Sequence, residues 1–446
     1  MKKVNKKVNK KILESMKIIK LEKEKIKKEK KLIRRQRLKK SRFYKIFGFL
    51  IKEEDESYSF KEVLIISLCS LFVGIFGCFI LLTILTGGRN FVRLSHDLGK
   101  FFDVYETLMD SYYDDIDKKK LVEDAIDGMV SSVGDVYTSY TDESGVDKFN
   151  ELVSGEYEGI GCTIQLQESG LRVIEVFKDS PAEKADLRVD DYILKVDDIE
   201  ITQETDVNDL SNYIKTSGDG TIKMIVSRDG VEKELNLKRG KVETPVVSSV
   251  VYEKNGKKIG YLGISIFSSV ASKQFKEKIE ELEKQKIDGL VIDVRGNNGG
   301  YLTTVTDIAS QLLPKDKVIY QIEKDGKRES TKDKTNTKRE YPIAILVNEN
   351  SASASEILAG VIKESYGGFV VGTKTYGKGT VQQIKKLKDG SMIKYTVENW
   401  LTPDGNWIDG KGVLPTHEIE LSEEYYNESI TENDNQLQKA LELVSK

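Results

Sequence analysis

The chain has 446 residues, 39% hydrophobic and 32% charged, with 70 Lys and Arg against 73 Asp and Glu. Its length exceeds one ordinary core and implies about two to three domains, and its composition excludes a chain too polar to fold. Three cysteines and two histidines exclude a disulfide framework and offer no cluster with metal-ligand spacing, so neither a cofactor nor a metal is expected.

Residues 1–62 read as a basic cytoplasmic tail. The first 50 residues hold 21 Lys and Arg against four Glu, and the rest of the chain is net negative. Ile12, Ile19, Ile26 and Ile33 recur every seven residues, but Glu22 and Glu29 fall where a second coiled-coil stripe would be apolar. A solvated, partly helical tail attracted to anionic lipid is the expectation. Nucleic-acid binding is the weaker alternative, because no aromatic side chain precedes Phe43 and Tyr44 to stack on bases.

Residues 63–86 carry no charge and, as a helix of about 36 Å, would cross a hydrocarbon core of about 30 Å. A cleaved signal would have a shorter apolar stretch and a small-residue cleavage site, so a single-pass anchor is expected. The basic flank puts the N-terminus in the cytoplasm and everything after Gly87 outside. Cys69 and Cys78 lie inside the span, which leaves Cys162 alone in the exported part and no disulfide within it.

Residues 87–154 read as a helical collar, with Val104, Leu108, Leu121 and Ala125 at helical spacing and a homodimer as one possible use. From 155 to 240 short β-type runs such as GCTIQLQ and TIKMIVSR alternate with turns and two helical pieces. One piece, SPAEKADL, has Ser180 to cap it and Pro181 at its first position; the other is Asp206 to Lys215. This order resembles a PDZ domain. The resemblance implies that Gly159, Ile160 and Gly161 capture a terminal carboxylate on backbone N–H groups. The peptide would pair as a strand with residues 162–166, facing Val207, Leu210 and Ile214. The plainer alternative is a small β-domain whose glycines only make a turn.

Residues 241–420 alternate strand and helix as an α/β core, and 421–446 form a C-terminal helical segment. Within the core NSASASEI (350–357) follows a strand and opens a helix, and YGKGTVQQ (376–383) comes about 25 residues later. Together they suggest nucleophilic serine chemistry, because a serine at a helix N-terminus shares its corner with free N–H groups. His96 and His417 are remote in sequence from both segments, so a lysine would have to take the proton. Lys378 between two glycines fits, provided burial lowers its pKa toward neutrality. Two plainer readings compete: serines that only cap the helix, and a phosphate-binding lysine, since GTKTYGK begins like a P-loop but Gly379 stands where a hydroxyl residue is needed.

From Asp97 onward GDVYTSY, the PDZ unit, VIDVRGNNGG, SASASEILAG, YGKGTVQQ and WLTPDGNWI occur in an order that resembles the C-terminal processing peptidases, or tail-specific proteases, most nearly their Bacillus-type membrane or spore-associated members. The resemblance implies a crotonase-like catalytic fold and a serine endopeptidase that recognises protein C-termini. It assigns the nucleophile to Ser353, the base to Lys378, and a third residue that orients the amine to Gln382. It puts the oxyanion hole on the backbone of Ala354 with Gly299 or Gly300. Positions four apart on a plain strand lie about 13 Å apart, so a bend or bulge at Gly379 is expected. Two rivals remain: a non-enzymatic PDZ adaptor and an acyl-CoA enzyme on the related fold.

Overall fold

The computed structural model describes residues 2–39, 58–85 and 91–446, apart from positions 169, 217, 219, 336 and 429. Parts of the expected tail, membrane span and collar, at 40–57 and 86–90, lie outside the described residues. The chain divides into two compact units, 1–116 and 117–446.

The first unit is helical: α1 (Lys2–Lys39), α2 (Phe60–Leu85) and α3 (Phe91–Ser111). Ser59 and Glu62 cap α2 reciprocally, the Ser59 N–H donating to Glu62 Oε2 at 2.8 Å and the Glu62 N–H to Ser59 Oγ at 3.4 Å. That pair starts the helix at Phe60, ahead of the expected Val63, and admits Lys61 and Glu62 before the apolar run.

The second unit opens with α4 (Lys118–Ser131), β1 (Ser139–Thr141) and α5 (Glu143–Ser154). Asp142 caps α5 by accepting from the Gly145 N–H at 3.0 Å. Next come β2 (Glu156–Gly159), β3 (Cys162–Gln167), β4 (Gly170–Val176), α6 (Pro181–Lys184), β5 (Tyr192–Val196), β6 (Ile199–Glu200), α7 (Val207–Thr216), β7 (Thr221–Arg228), β8 (Val231–Lys238) and β9 (Gly240–Glu243). Strands β3-β4-β5-β7-β8 form one antiparallel sheet around Leu171, Val173, Ile193, Ile222, Met224 and Leu237. Ser180 caps α6 and Pro181 takes its first position, but the helix lasts only one turn.

The rest carries β10 (Val247–Lys254), β11 (Lys257–Ile264), α8 (Ala271–Lys284), β12 (Gly289–Asp293), α9 (Leu302–Ser310), β13 (Val318–Lys324), β14 (Lys327–Lys332), β15 (Ile343–Val347) and α10 (Ala354–Gly360), which continues as a π-helical stretch from Val361 to Tyr366. Then follow β16 (Phe369–Gly372), β17 (Thr380–Lys386), β18 (Met392–Leu401), β19 (His417–Glu418), α11 (Glu423–Asn427) and α12 (Asn435–Val444). The central sheet runs β10-β11-β12-β15-β16-β19, parallel from β11 onward. Every residue of β12 (GLVID) and β15 (IAILV) is buried, which is why both read as unbroken apolar runs. On one face Phe275, Ile279, Val305, Ile308, Ile357 and Leu358 pack from α8, α9 and α10; on the other Leu437, Leu441 and Val444 pack from α12. A second, antiparallel sheet orders β1-β18-β13-β14, with β17 also on β18.

Candidate functional site

The end of β15, the glycine loop after β12 and the turn before β17 meet at one cavity of about 990 Å³. Ser353, Ala354, Gly299, Gly300, Lys378, Gln382 and Lys394 all line it, together with apolar groups such as Ile266, Ile357, Val381 and Trp400. The two segments singled out in the sequence are thus brought to one place.

Hydrogen bonding separates the three serines. Ser351 and Ser355 are fully buried, and their hydroxyls donate to Val294 O and Asn297 O, each at 2.8 Å. These two fasten the serine turn to the loop after β12. Ser353 is half-buried and opens on the cavity, with a backbone at φ 55° and ψ −111°. A non-glycine residue there costs about 1–3 kcal/mol, so surrounding bonds must hold it.

The glycine loop abuts this turn. A Cβ on Gly299, whose φ is +106°, would stand 2.9 Å from Ala352 O and from Ser353 Cβ, so a larger residue would displace the serine. The Gly299 N–H is taken by Asn297 Oδ1 at 2.8 Å. Among the described residues no acceptor takes the N–H of Gly300 or of Ala354. This distinguishes between two glycines that the sequence left equivalent.

Lys378 is held by its backbone: its N–H donates to Glu356 Oε2 at 2.9 Å, and its carbonyl accepts from Trp400 Nε1 at 2.9 Å. Its amine lies over the Tyr137 ring, 4.7 Å from the centroid, and among the described residues no hydrogen bond joins it to Ser353. Burial lowers the Lys378 pKa, the nearby Lys394 charge lowers it further, and Asp135 and Glu356 oppose both. Lys394→Gln is therefore expected to raise the Lys378 pKa, as read by NMR titration of the lysine side chains. An unchanged or lower value would discount the repulsion.

The irregularity expected at Gly379 lies two residues later, between Val381 and Gln382 in the pairing of β17 with β18. Gly379 serves close packing instead: a Cβ there would stand 2.5 Å from Asp409 N. The Gln382 amide donates to Thr380 Oγ1 at 2.8 Å and Thr396 Oγ1 at 3.3 Å, which leaves Oε1 as its available acceptor.

The residues singled out in the 155–240 segment divide. Gly159, Ile160, Cys162, Ile164 and Ile214 line a second cavity of about 460 Å³, walled on one side by Lys148, Glu151 and Leu152 of α5. Leu210 is buried in the core of that β-domain, Val207 packs against the same core, and Gly161 lies beside Ser180. Burial pushes the Tyr157 phenol and the Cys162 thiol up to about 12 each. Lys215 pairs with Glu151 at 2.6 Å.

Sequence reasoning passed over Tyr137, Lys394 and the reach of Glu356. Tyr137 lies in the GDVYTSY run and Glu356 in the NSASASEI segment, both read only as blocks.

Comparison with known proteins gives three matches to family descriptions: peptidase family S41 over residues 258–419, PDZ domain over 159–238, and activating protease CtpB N-terminal domain over 85–145. The carboxy-terminal processing protease CtpB of Bacillus subtilis is 38% identical over 322 residues, covering 72% of this chain and 67% of that protein. The carboxy-terminal processing protease CtpA of the same organism is 36% identical, covering 75% and 70%. A probable CtpA-like serine protease of Staphylococcus haemolyticus is 36% identical, covering 76% and 68%.

Proposed function

This chain belongs to the S41 carboxy-terminal processing serine proteases and carries their PDZ domain, and from that premise we propose that it is a membrane-anchored endopeptidase using Ser353, Lys378 and Gln382. The observation that carries the reading is the convergence on one cavity of Ser353, a half-buried lysine of lowered pKa and, among the described residues, two N–H groups without an acceptor.

In the neutral form Lys378 leaves the Tyr137 ring and accepts the Ser353 proton as Oγ attacks the substrate carbonyl carbon. Such contacts often tighten only once substrate is bound. The N–H groups of Ala354 and Gly300 stabilise the oxyanion, in preference to Gly299, whose N–H is already committed. The protonated amine then gives its proton to the leaving nitrogen, and water hydrolyses the acyl-enzyme. Gln382 Oε1 accepts from the lysine amine and orients it. Mass spectrometry after treatment with a serine-directed fluorophosphonate should find the adduct on Ser353. An unlabelled Ser353 in protein that cleaves peptides would sink this assignment.

The PDZ domain would present substrates by their C-termini. Its cavity, lined by Gly159, Ile160, Cys162 and Ile214 beside Lys215, suits an extended chain ending in a carboxylate. Peptides with a free carboxylate are expected to be cleaved about tenfold faster than their amides, the worth of one charge-assisted contact. Equal rates would remove the tail-recognition role.

Helix α2 supports the anchor: Phe60–Leu81 is, among the described residues, the helix long and apolar enough to cross a membrane. The Lys- and Arg-rich residues before it favour a cytoplasmic N-terminus and an extracytoplasmic catalytic domain. Protease accessibility of spheroplasts, with residues 117–446 digested from outside, is the expected topology result.

A further inference from the structure

Beyond the three assigned positions, one carboxylate touches both halves of the site. Glu356 is fully buried at the start of α10. Its Oε2 accepts from the Ser353 N–H at 2.8 Å and the Lys378 N–H at 2.9 Å. Its Oε1 accepts from Thr375 Oγ1 at 2.6 Å and the Gly377 N–H at 2.7 Å. Among the described residues no Lys or Arg forms an ion pair with it. A buried carboxylate without a cation is costly unless its oxygens are saturated, and here four donors fill them.

We propose that Glu356 is a positioning residue of the peptidase, a single carboxylate that clamps the strained nucleophile and the lysine turn in register. Its own oxygens are spent on protein donors, so it acts through Ser353 and Lys378 and does not meet the substrate. The clamp explains why residue 353 keeps φ 55° without a glycine: the N–H that this conformation exposes is met by a carboxylate three residues along the same helix. The same oxygen fixes the backbone of the base, so movement of either segment pulls on the other. Glu356 also brings negative charge close to Lys378, where it favours the ammonium.

The inference rests on the dyad proposed above. Its test uses the full chain in detergent micelles, with kcat and KM measured against pH for wild type, Glu356→Gln, Glu356→Asp and Lys378→Ala. Glu356→Gln keeps the shape but turns one acceptor into a donor facing backbone N–H groups. It should lower kcat about 100-fold, the cost of a displaced catalytic pair, with KM changed less than about threefold. The acid limb of kcat should move to lower pH, because the lost negative charge no longer favours the protonated lysine. Glu356→Asp keeps the charge but withdraws it by one methylene, so its rate should fall comparably while the limb stays in place. A Glu356→Gln rate within about threefold of wild type, or a limb unmoved or displaced upward, overturns the proposal. Should Glu356→Gln not fold, Glu356→Asp decides, since wild-type kcat there also overturns it. An active Lys378→Ala would instead remove the dyad itself, an outcome distinct from an inactive Lys378→Ala beside a normal Glu356→Gln.

Discussion

Lys378→Ala is expected to reduce peptide hydrolysis on the order of 10⁴-fold while the protein stays folded. The rate falls because, among the described residues, no histidine lines the cavity and the remaining cation there, Lys394, contributes charge to the lysine's surroundings. The fold survives because the Lys378 turn is held by its backbone, to Glu356 and Trp400, and those bonds do not need the side chain. The pH dependence supplies a second readout. Burial lowers the pKa in the folded state, so over the window between the folded and unfolded values the unfolded chain binds one more proton, and wild-type stability rises with pH. The alanine variant lacks that rise. Thermal melting across alkaline pH checks this, and turnover within about tenfold of wild type would overturn the role of base.

Arg295→Ala is expected to destabilise the second unit by about 3–5 kcal/mol, because it strands buried carboxylates that have lost their cation. Arg295 follows β12 and forks to Asp293 at 2.7 Å and to Asp434 at 2.7 Å, with a further bond to Gln436 Oε1 at 2.9 Å. Asp434 also caps α12 by accepting from the Leu437 N–H at 2.9 Å. The guanidinium therefore fastens the last helix to the sheet whose far face carries the site. Lysine cannot reproduce the fork, so Arg295→Lys should recover only part of the loss. Urea unfolding gives the measurement, and a loss below about 1 kcal/mol would mean that the cluster contributes no net stability.

Much of the fold was legible. Strands β12 and β15 were visible as apolar runs buried on both faces, and α10 was visible from its small-residue start. Ends were less so. Packing sets where α8 runs, from Ala271 to Lys284, and why α9 ends at Ser310, since Leu312 and Leu313 leave the helix to join the core. The bulge was required by spacing but displaced, since Gly379 is committed to packing on Asp409 and the strand yields at the next free place. In the PDZ segment Leu210 was expected to face the peptide, and its side chain is buried in the core of the β-domain.

From residue order alone came the apolar helix of membrane length, the succession of β-domain and α/β core, and the serine and lysine segments as the proposed pair. Those features rest on periodicity and on chemical type, which neighbours within a few positions express. Folding decided which serine opens on the cavity, which of the two glycines has its N–H taken by Asn297, and that Glu356 joins the serine and lysine segments. It also set Tyr137 and Lys394 beside the amine. Hydrogen-bond commitment and electric field depend on which groups finally come within a few ångströms, and for strands far apart in the chain only the packed sheet specifies that.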